Sequence, residues 1–115
     1  MRRPDYDRRV VVTGLGVISP VGNDRATAWS NLVNGVSGLG PITHFDASAY
    51  KCRIACEVKP ADHEYGFDPS KRVDHKIQRQ VDPFIVFGLD AAGQAIEVER
   101  DVGVDELQTL CPVMG

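Results

Sequence analysis

Arg8-Arg9-Val10-Val11-Val12-Thr13-Gly14-Leu15-Gly16-Val17-Ile18-Ser19-Pro20-Val21-Gly22-Asn23 is the stretch that decides the architecture. Three β-branched valines behind two arginines predict a buried strand over 8–13. Gly14, Gly16, Pro20 and Gly22 then break the chain into a sharply turning loop over 14–22. Asn23 is placed to cap a helix, its side-chain oxygen accepting an orphan amide of the first turn. Ala26, Trp29, Leu32 and Val33 recur at helical spacing, which predicts an amphipathic helix of about three turns. Asn34-Gly35 ends it, with the glycine free to take the left-handed conformation. A strand, a glycine-rich turn and a helix in succession open an α/β unit.

Downstream, residues 36–50 read as glycine-rich and irregular. Residues 52–58 alternate, which predicts a strand with Cys52, Ile54, Cys56 and Val58 on one side. Residues 59–72 are polar and rich in turn formers. A second helix is expected behind Asp82, with Pro83 at the first helical position, where no amide is required. Its residues 84–96 are apolar nearly all round, with Asp90 and Gln94 as polar interruptions, so it belongs in the interior of a larger body. Gly88, Ala91 and Ala92 are small enough to admit a close neighbour. The acidic stretch 97–107 reads as a solvated face or loop. Thr109-Leu110-Cys111-Pro112-Val113-Met114-Gly115 carries no stop or cap signal, so the chain reads as cut off.

A chain of 115 residues fits one domain. Its 43% apolar and 25% charged content is that of a soluble globular protein. A net charge of −3 gives no electrostatic support to nucleic-acid binding. No apolar run approaches the ~20 residues that span a bilayer, and Gly14 and Gly16 break the short apolar stretch a secretory signal would need. Three cysteines, an odd number, argue against a disulfide framework and for a reducing, cytoplasmic setting.

Several chemistries can be weighed and set aside. Gly14-Leu15-Gly16-Val17-Ile18-Ser19 has the first two glycines of a dinucleotide fingerprint, but Ser19 and Asn23 stand where further signals are needed, and no acidic residue closes a second strand about 20 residues on. A phosphate loop lacks its Gly-Lys-Ser/Thr end. Cys52, Cys56 and His63 are metal-ligating types, yet Cβ atoms four apart on a strand are separated by about 13 Å, too far for one ion. Small core thiols are the expectation for both cysteines. His44, His63 and His75 lie in turn-like context and read as surface or linker histidines. No cysteine stands at a strand-to-helix turn, so no nucleophile with a base and an orienting partner is evident. Lys71, Arg72, Lys76 and Arg79 form a basic cluster ahead of the second helix. It is either a solvated segment or a patch that steers an acidic partner.

The order and spacing of the motifs resemble the β-ketoacyl-acyl-carrier-protein synthases, the elongating type II form in particular. The pieces that carry this are Arg9-Val10-Val11-Val12-Thr13-Gly14-Leu15-Gly16, Ser19-Pro20-Val21-Gly22-Asn23, Trp29-Ser30-Asn31-Leu32, Ser37-Gly38, Ile42-Thr43-His44-Phe45-Asp46, Ile54-Ala55 with Glu57-Val58-Lys59, and Val81-Asp82-Pro83-Phe84. The similarity spans roughly residues 8–98; beyond about 99 the likeness fades, as a truncated or frame-shifted reading frame would explain. The resemblance implies an α/β, thiolase-like fold, α-β-α-β-α in layers, of which residues 1–115 would form an N-terminal piece. It implies an acyltransferase of fatty acid synthesis that condenses an acyl thioester with malonyl-carrier protein. The substrates ride on the phosphopantetheine of acyl carrier protein, with no resident cofactor or metal. The family works as a homodimer, away from membranes and nucleic acid. Its active-site cysteine and two histidines lie in motifs that these residues do not contain, so no catalytic residue carries over, and Cys56 stands where relatives often carry glycine. Lys76 and Arg79 match basic residues that contact the carrier protein in the family, while Gln80 stands where a further basic residue is common. The chain is therefore expected to be inactive alone. The alternatives are a non-catalytic fragment that binds carrier protein or pairs with a synthase subunit, and an unrelated small α/β ligand-binding domain.

Overall fold

The computed structural model describes residues 10–101, with their side chains as far as Glu97. In chain order the elements are helix α1 (Arg25–Val33), strands β1 (Leu39–Pro41) and β2 (Ile54–Cys56), a 3₁₀ turn at Pro69–Lys71, a short helix α2 (His75–Gln78) and the long helix α3 (Pro83–Asp101). Arg8, Arg9, the acidic residues beyond Asp101, Cys111 and the uncapped end lie outside the described residues.

Helix α1 forms where the spacing places it, but its cap is shifted by one residue. Asp24 has the extended backbone of an N-cap, and its Oδ1 accepts from Thr27 N at 2.8 Å. That bond, first among several causes, holds the Asp24 carboxyl below the ordinary aspartate value. Aspartate offers the same short acceptor as asparagine, with a charge that suits the positive helix end. Asn23 is thus released, and its Nδ2 donates to the Tyr65 carbonyl at 2.8 Å, holding the helix entry to a distant loop. At the other end Gly35 takes φ +70, as expected, while its amide donates to Leu32 O and that of Val36 to Asn31 O.

The strand expected over 8–13 is absent from its described part. Residues 10–13 have no strand partner among the described residues, and Val10 is 96% exposed with Val11 and Val12 also open. A run of valines favours a pleated, half-buried surface, but only pairing with a neighbour makes it a strand. The sheet that does form joins β1 to β2 antiparallel, with Leu39 opposite Cys56, Gly40 opposite Ala55 and Pro41 opposite Ile54. β1 falls in the segment read as irregular: its glycine and proline hide the alternation on which a strand reading depends. β2 is shorter than the expected 52–58. Ile54 and Cys56 do share one side, but that side faces outward, and both Cys52 and Cys56 are exposed rather than core thiols. Alternation fixes which side chains go together, not which side another layer covers.

Glu57, next after β2, fastens the loop leaving β1. Its carboxylate accepts from Thr43 Oγ1 at 2.7 Å and from the amides of Thr43 and His44. The Thr43 hydroxyl is the main cause that pulls the Glu57 carboxyl below its ordinary value.

Helix α3 begins at Pro83, as the sequence predicts, with the Asp82 carbonyl accepting from Ile85 N and Val86 N. It runs past 96 into the stretch read as solvated. Most of its large apolar side chains are left open, as a helix that belongs inside a larger body implies, while its polar interruptions are buried. Val86, Asp90 and Gln94, four residues apart on one face, are buried. Phe84, at 70% exposure, together with Ile85, Leu89 and Ile96, is open. The buried apolar residues among those described are Ala28, Ala47, Val73 and Val86, none of them large. An apolar helix needs cover on several sides, and here the described chain supplies one.

Close approach occurs at Ala91 and Ala95 rather than at Gly88. A Cβ built on Gly88 meets nothing within 4 Å, whereas one on Gly16 would lie 1.8 Å from the Ala91 carbonyl oxygen and one on Gly14 2.0 Å from that of Ala95. Two residues of extended chain rise about 6.6 Å and four of helix about 6 Å. The loop after Thr13 therefore lies along α3 in step with its turns, running the opposite way.

Candidate functional site

The four-residue basic cluster separates into two parts. Arg72 is taken up by α3. Its Nη2 and Nε donate to the Glu97 carboxylate at 2.8 and 3.1 Å, and its Nη1 lies 3.6 Å from Asp90 Oδ1. The hydrogen bonds to Glu97 are the first cause that raises the Arg72 guanidinium above its ordinary value. Lys71 turns toward a polar hollow of about 300 Å³ that Asn23, Asp24, Glu64, Asp68 and Arg72 also line. Carboxylates and cations there face one another, so it is no free basic surface. Among the described residues no group of histidine, cysteine and carboxylate side chains could hold a metal ion.

Lys76 and Arg79 remain outward. Local structure fixes how they are shown. Val73 is buried, the Gln78 Nε2 donates to its carbonyl at 2.7 Å, and Asp74 Oδ1 accepts from Lys76 N at 2.8 Å. Both hydrogen bonds close within residues 73–78 and fix the turn of α2, while the burial of Val73 seats its start. His75, Lys76, Arg79 and Gln80 then line a shallow hollow of about 470 Å³. Positions 75 and 79 are four apart, so the single turn of α2 and its C-cap Arg79 place these two side chains on one row. Lys76 and Arg79 are the pair the sequence singles out, and His75, read as a surface or linker histidine, is exposed beside them. Among the described residues neither Lys76 nor Arg79 uses its charged end in a hydrogen bond or ion pair.

Behind this surface a polar seam ties the chain together. Gln94 Oε1 accepts from Val17 N at 3.2 Å, and its Nε2 donates both to the Asn23 carbonyl and to Asp90 Oδ1 at 2.8 Å. Asp90, at 2% exposure, is the largest fully buried side chain among the described residues. The two residues read as interruptions of an apolar helix are thus its inward contacts. The exposed Cys52 and Cys56 stand near no histidine contact, and His44 and His63 engage Glu57 and Tyr65 instead.

No helix among the described residues is long and apolar enough to cross a membrane. Residues 7–108 match the family model of the β-ketoacyl synthase N-terminal domain, so the likeness continues beyond residue 99, where it was expected to fade. The chain is 44% identical over 108 residues to the 3-oxoacyl-[acyl-carrier-protein] synthase 2 of Coxiella burnetii, covering 94% of this chain and 24% of that protein. To the enzyme of the same name from a Synechocystis species it is 41% identical over 107 residues, 90% of this chain and 24% of the relative. For that of Vibrio cholerae the figures are 43% over 90 residues, 78% and 20%. The chain spans about a quarter of the length of the curated relatives it matches. A match over nearly all its residues shows that the chain belongs to the β-ketoacyl synthase family and falls within its N-terminal domain, whose fold is thiolase-like.

Proposed function

We propose that this chain is the leading part of a type II β-ketoacyl-carrier-protein synthase, an acyltransferase of fatty acid synthesis, and that its own surface supplies a docking patch for acyl carrier protein. In the complete enzyme it contributes to the first half of a five-layered, homodimeric body in the cytoplasm. Substrates reach that body on phosphopantetheine, with no resident cofactor. The observation that carries the docking reading is the outward pair Lys76 and Arg79 on α2, held in place by Val73, Asp74 and Gln78 while Arg72 is diverted to Glu97. An acidic partner meets two cations whose charge the body does not compensate.

Binding of a purified holo-acyl carrier protein, followed by calorimetry at low ionic strength, tests this. Lys76→Glu with Arg79→Glu is expected to lower affinity at least tenfold, since each exchange turns an attraction into a repulsion. Unchanged affinity would sink the docking reading.

On this reading the family's reactive cysteine and histidines are supplied by other parts of the enzyme, and Cys52 and Cys56 are exposed, Cys56 within β2 itself. The pure chain is expected to form no ketoacyl product from acyl- and malonyl-carrier protein. Product detected by mass spectrometry above a no-protein control would overturn that expectation. A second role is favoured by the uncovered apolar side chains Val10, Trp29, Leu32 and Phe84. Such a surface suits pairing with further synthase polypeptide.

A further inference from the structure

We propose that the open side of α3 is a self-complementary seam, through which two copies of this chain pair with their helices antiparallel. This narrows the pairing role above to one partner and stands apart from the docking reading, whose residues belong to α2 and its cap. The open residues of α3 are not scattered. Ile85, Leu89, Ala92 and Ile96 are all exposed and recur four, three and four positions apart. That is the alternation by which one helix lays a narrow apolar stripe against another. The other side of α3 is already taken. Val86, Asp90 and Gln94 are buried, and the loop carrying Gly14 and Gly16 lies against Ala91 and Ala95. A Cβ built on Gly88, at the edge of the stripe, meets nothing within 4 Å, so no described part of the chain lies over it. The register of the stripe selects the occupant. About a two-fold axis between Asp90 and Ala91, Ile85 of one copy falls opposite Ile96 of the second, and Leu89 opposite Ala92. Each leucine enters the space above an alanine, and the isoleucines close both ends of the seam. Parallel pairing would set Ala92 on Ala92, leaving a gap, and would align two helix dipoles that the antiparallel arrangement opposes. No charge resists the contact: between Asp82 and Glu97 the only ionisable residue is Asp90, which is buried on the far side. A seam of about three turns is smaller than a standard interface of about 1,600 Å², so the pair is expected to dissociate at about 10–100 µM.

Sedimentation equilibrium of the full chain, across a concentration series that brackets this range, tests the proposal. Far-ultraviolet dichroism checks that each variant keeps its helices. Wild type is expected to pass from monomer to dimer and to stop there. Leu89→Glu and Ala92→Lys should each weaken pairing at least tenfold, since each sets an unpaired charge in an apolar seam. Trp29→Glu, which alters an exposed apolar residue on α1, should leave pairing unchanged. A mixture of the Leu89→Glu and Ala92→Lys chains should recover dimer, because the antiparallel register sets the new acid of one copy against the new base of the other. Pairing that survives Leu89→Glu, or that Trp29→Glu abolishes, would place the contact elsewhere and overturn the proposal. So would a chain that stays monomeric or one that aggregates without limit. A mixture that pairs no better than its components would overturn the antiparallel register. A monomeric chain that is nonetheless captured by a full-length type II synthase would leave the pairing role standing and remove the second copy as its partner.

Discussion

Gly16→Ala is expected to destabilise the chain by roughly 3 kcal/mol, at the upper end of what overpacking costs. The added methyl would fall 1.8 Å from the Ala91 carbonyl oxygen and 2.7 Å from its carbonyl carbon. Both atoms belong to the backbone of α3, which cannot swing aside as the tip of a long side chain can. Either the loop lifts away from the helix, forfeiting the Val17–Gln94 hydrogen bond, or the helix bends. Gly88→Ala is the matched control. It lies on the same helix with nothing within 4 Å of its added methyl, and it removes a helix-weakening glycine. It should stabilise by about 0.5–1 kcal/mol. Urea midpoints of the two variants should therefore move in opposite directions. If Gly16→Ala leaves the midpoint within error of wild type, the loop does not lie on α3 as described.

How much of this could be read from the sequence depended on whether the deciding signal was local. Pro83 behind Asp82, and Asn34 before Gly35, are governed by backbone geometry that one or two residues settle, and both ends stand where they were read. The choice between Asn23 and Asp24 as cap turned on a contact forty-two positions away, the Tyr65 carbonyl, which no local rule supplies. Val10-Val11-Val12 has strand propensity in full but no strand beside it among the described residues, so propensity alone could not make the element. The alternation over 52–58 placed Ile54 and Cys56 correctly on one side and gave no hint that the side is open.

The same contrast holds for the docking surface. Lys76 and Arg79 were legible because their spacing matches a family pattern. That Arg72, four residues before Lys76 and seven before Arg79, is not part of the surface follows from Glu97 and Asp90 on α3. By residue type alone the four cations are equivalent. Only the packing of α3 divides them into structural and exposed. The burial pattern along α3 has a related origin. A hydrophobicity pattern ranks Phe84 and Leu89 as the natural inward residues, but the neighbours that reach this helix present backbone amides and carbonyls. Polar side chains satisfy those groups, so Asp90 and Gln94 face them.

Gln94→Leu is expected to cost about 3–4 kcal/mol, more than its loss of volume would suggest. Leucine fills similar space, so the penalty arises from what is left unpaired. Val17 N loses its acceptor, and the Asn23 carbonyl and Asp90 Oδ1 lose their donor. Each desolvated group without a partner costs roughly 1–3 kcal/mol. Val17 and Asn23 are only part-buried and can recover some hydration, which holds the sum below three full penalties. Asp90 has less recourse, since it is closed to water and keeps only Arg72, at 3.6 Å. Gln94→Glu separates this account from a simple packing defect. The new carboxylate could still accept from Val17 N, but it would set a second acid against Asp90 in place of a donor. Repulsion between the two would raise a carboxyl pKa in the folded chain above its unfolded value. A group raised in this way favours the folded state more as it takes up its proton. The Glu variant should thus recover part of its lost stability as pH falls toward the carboxylate range, whereas the Leu variant should gain nothing in comparison with wild type. Denaturant midpoints of the three proteins at pH 7 and pH 5 decide the matter, and parallel behaviour of Gln94→Glu and Gln94→Leu would show that Gln94 acts through its bulk alone.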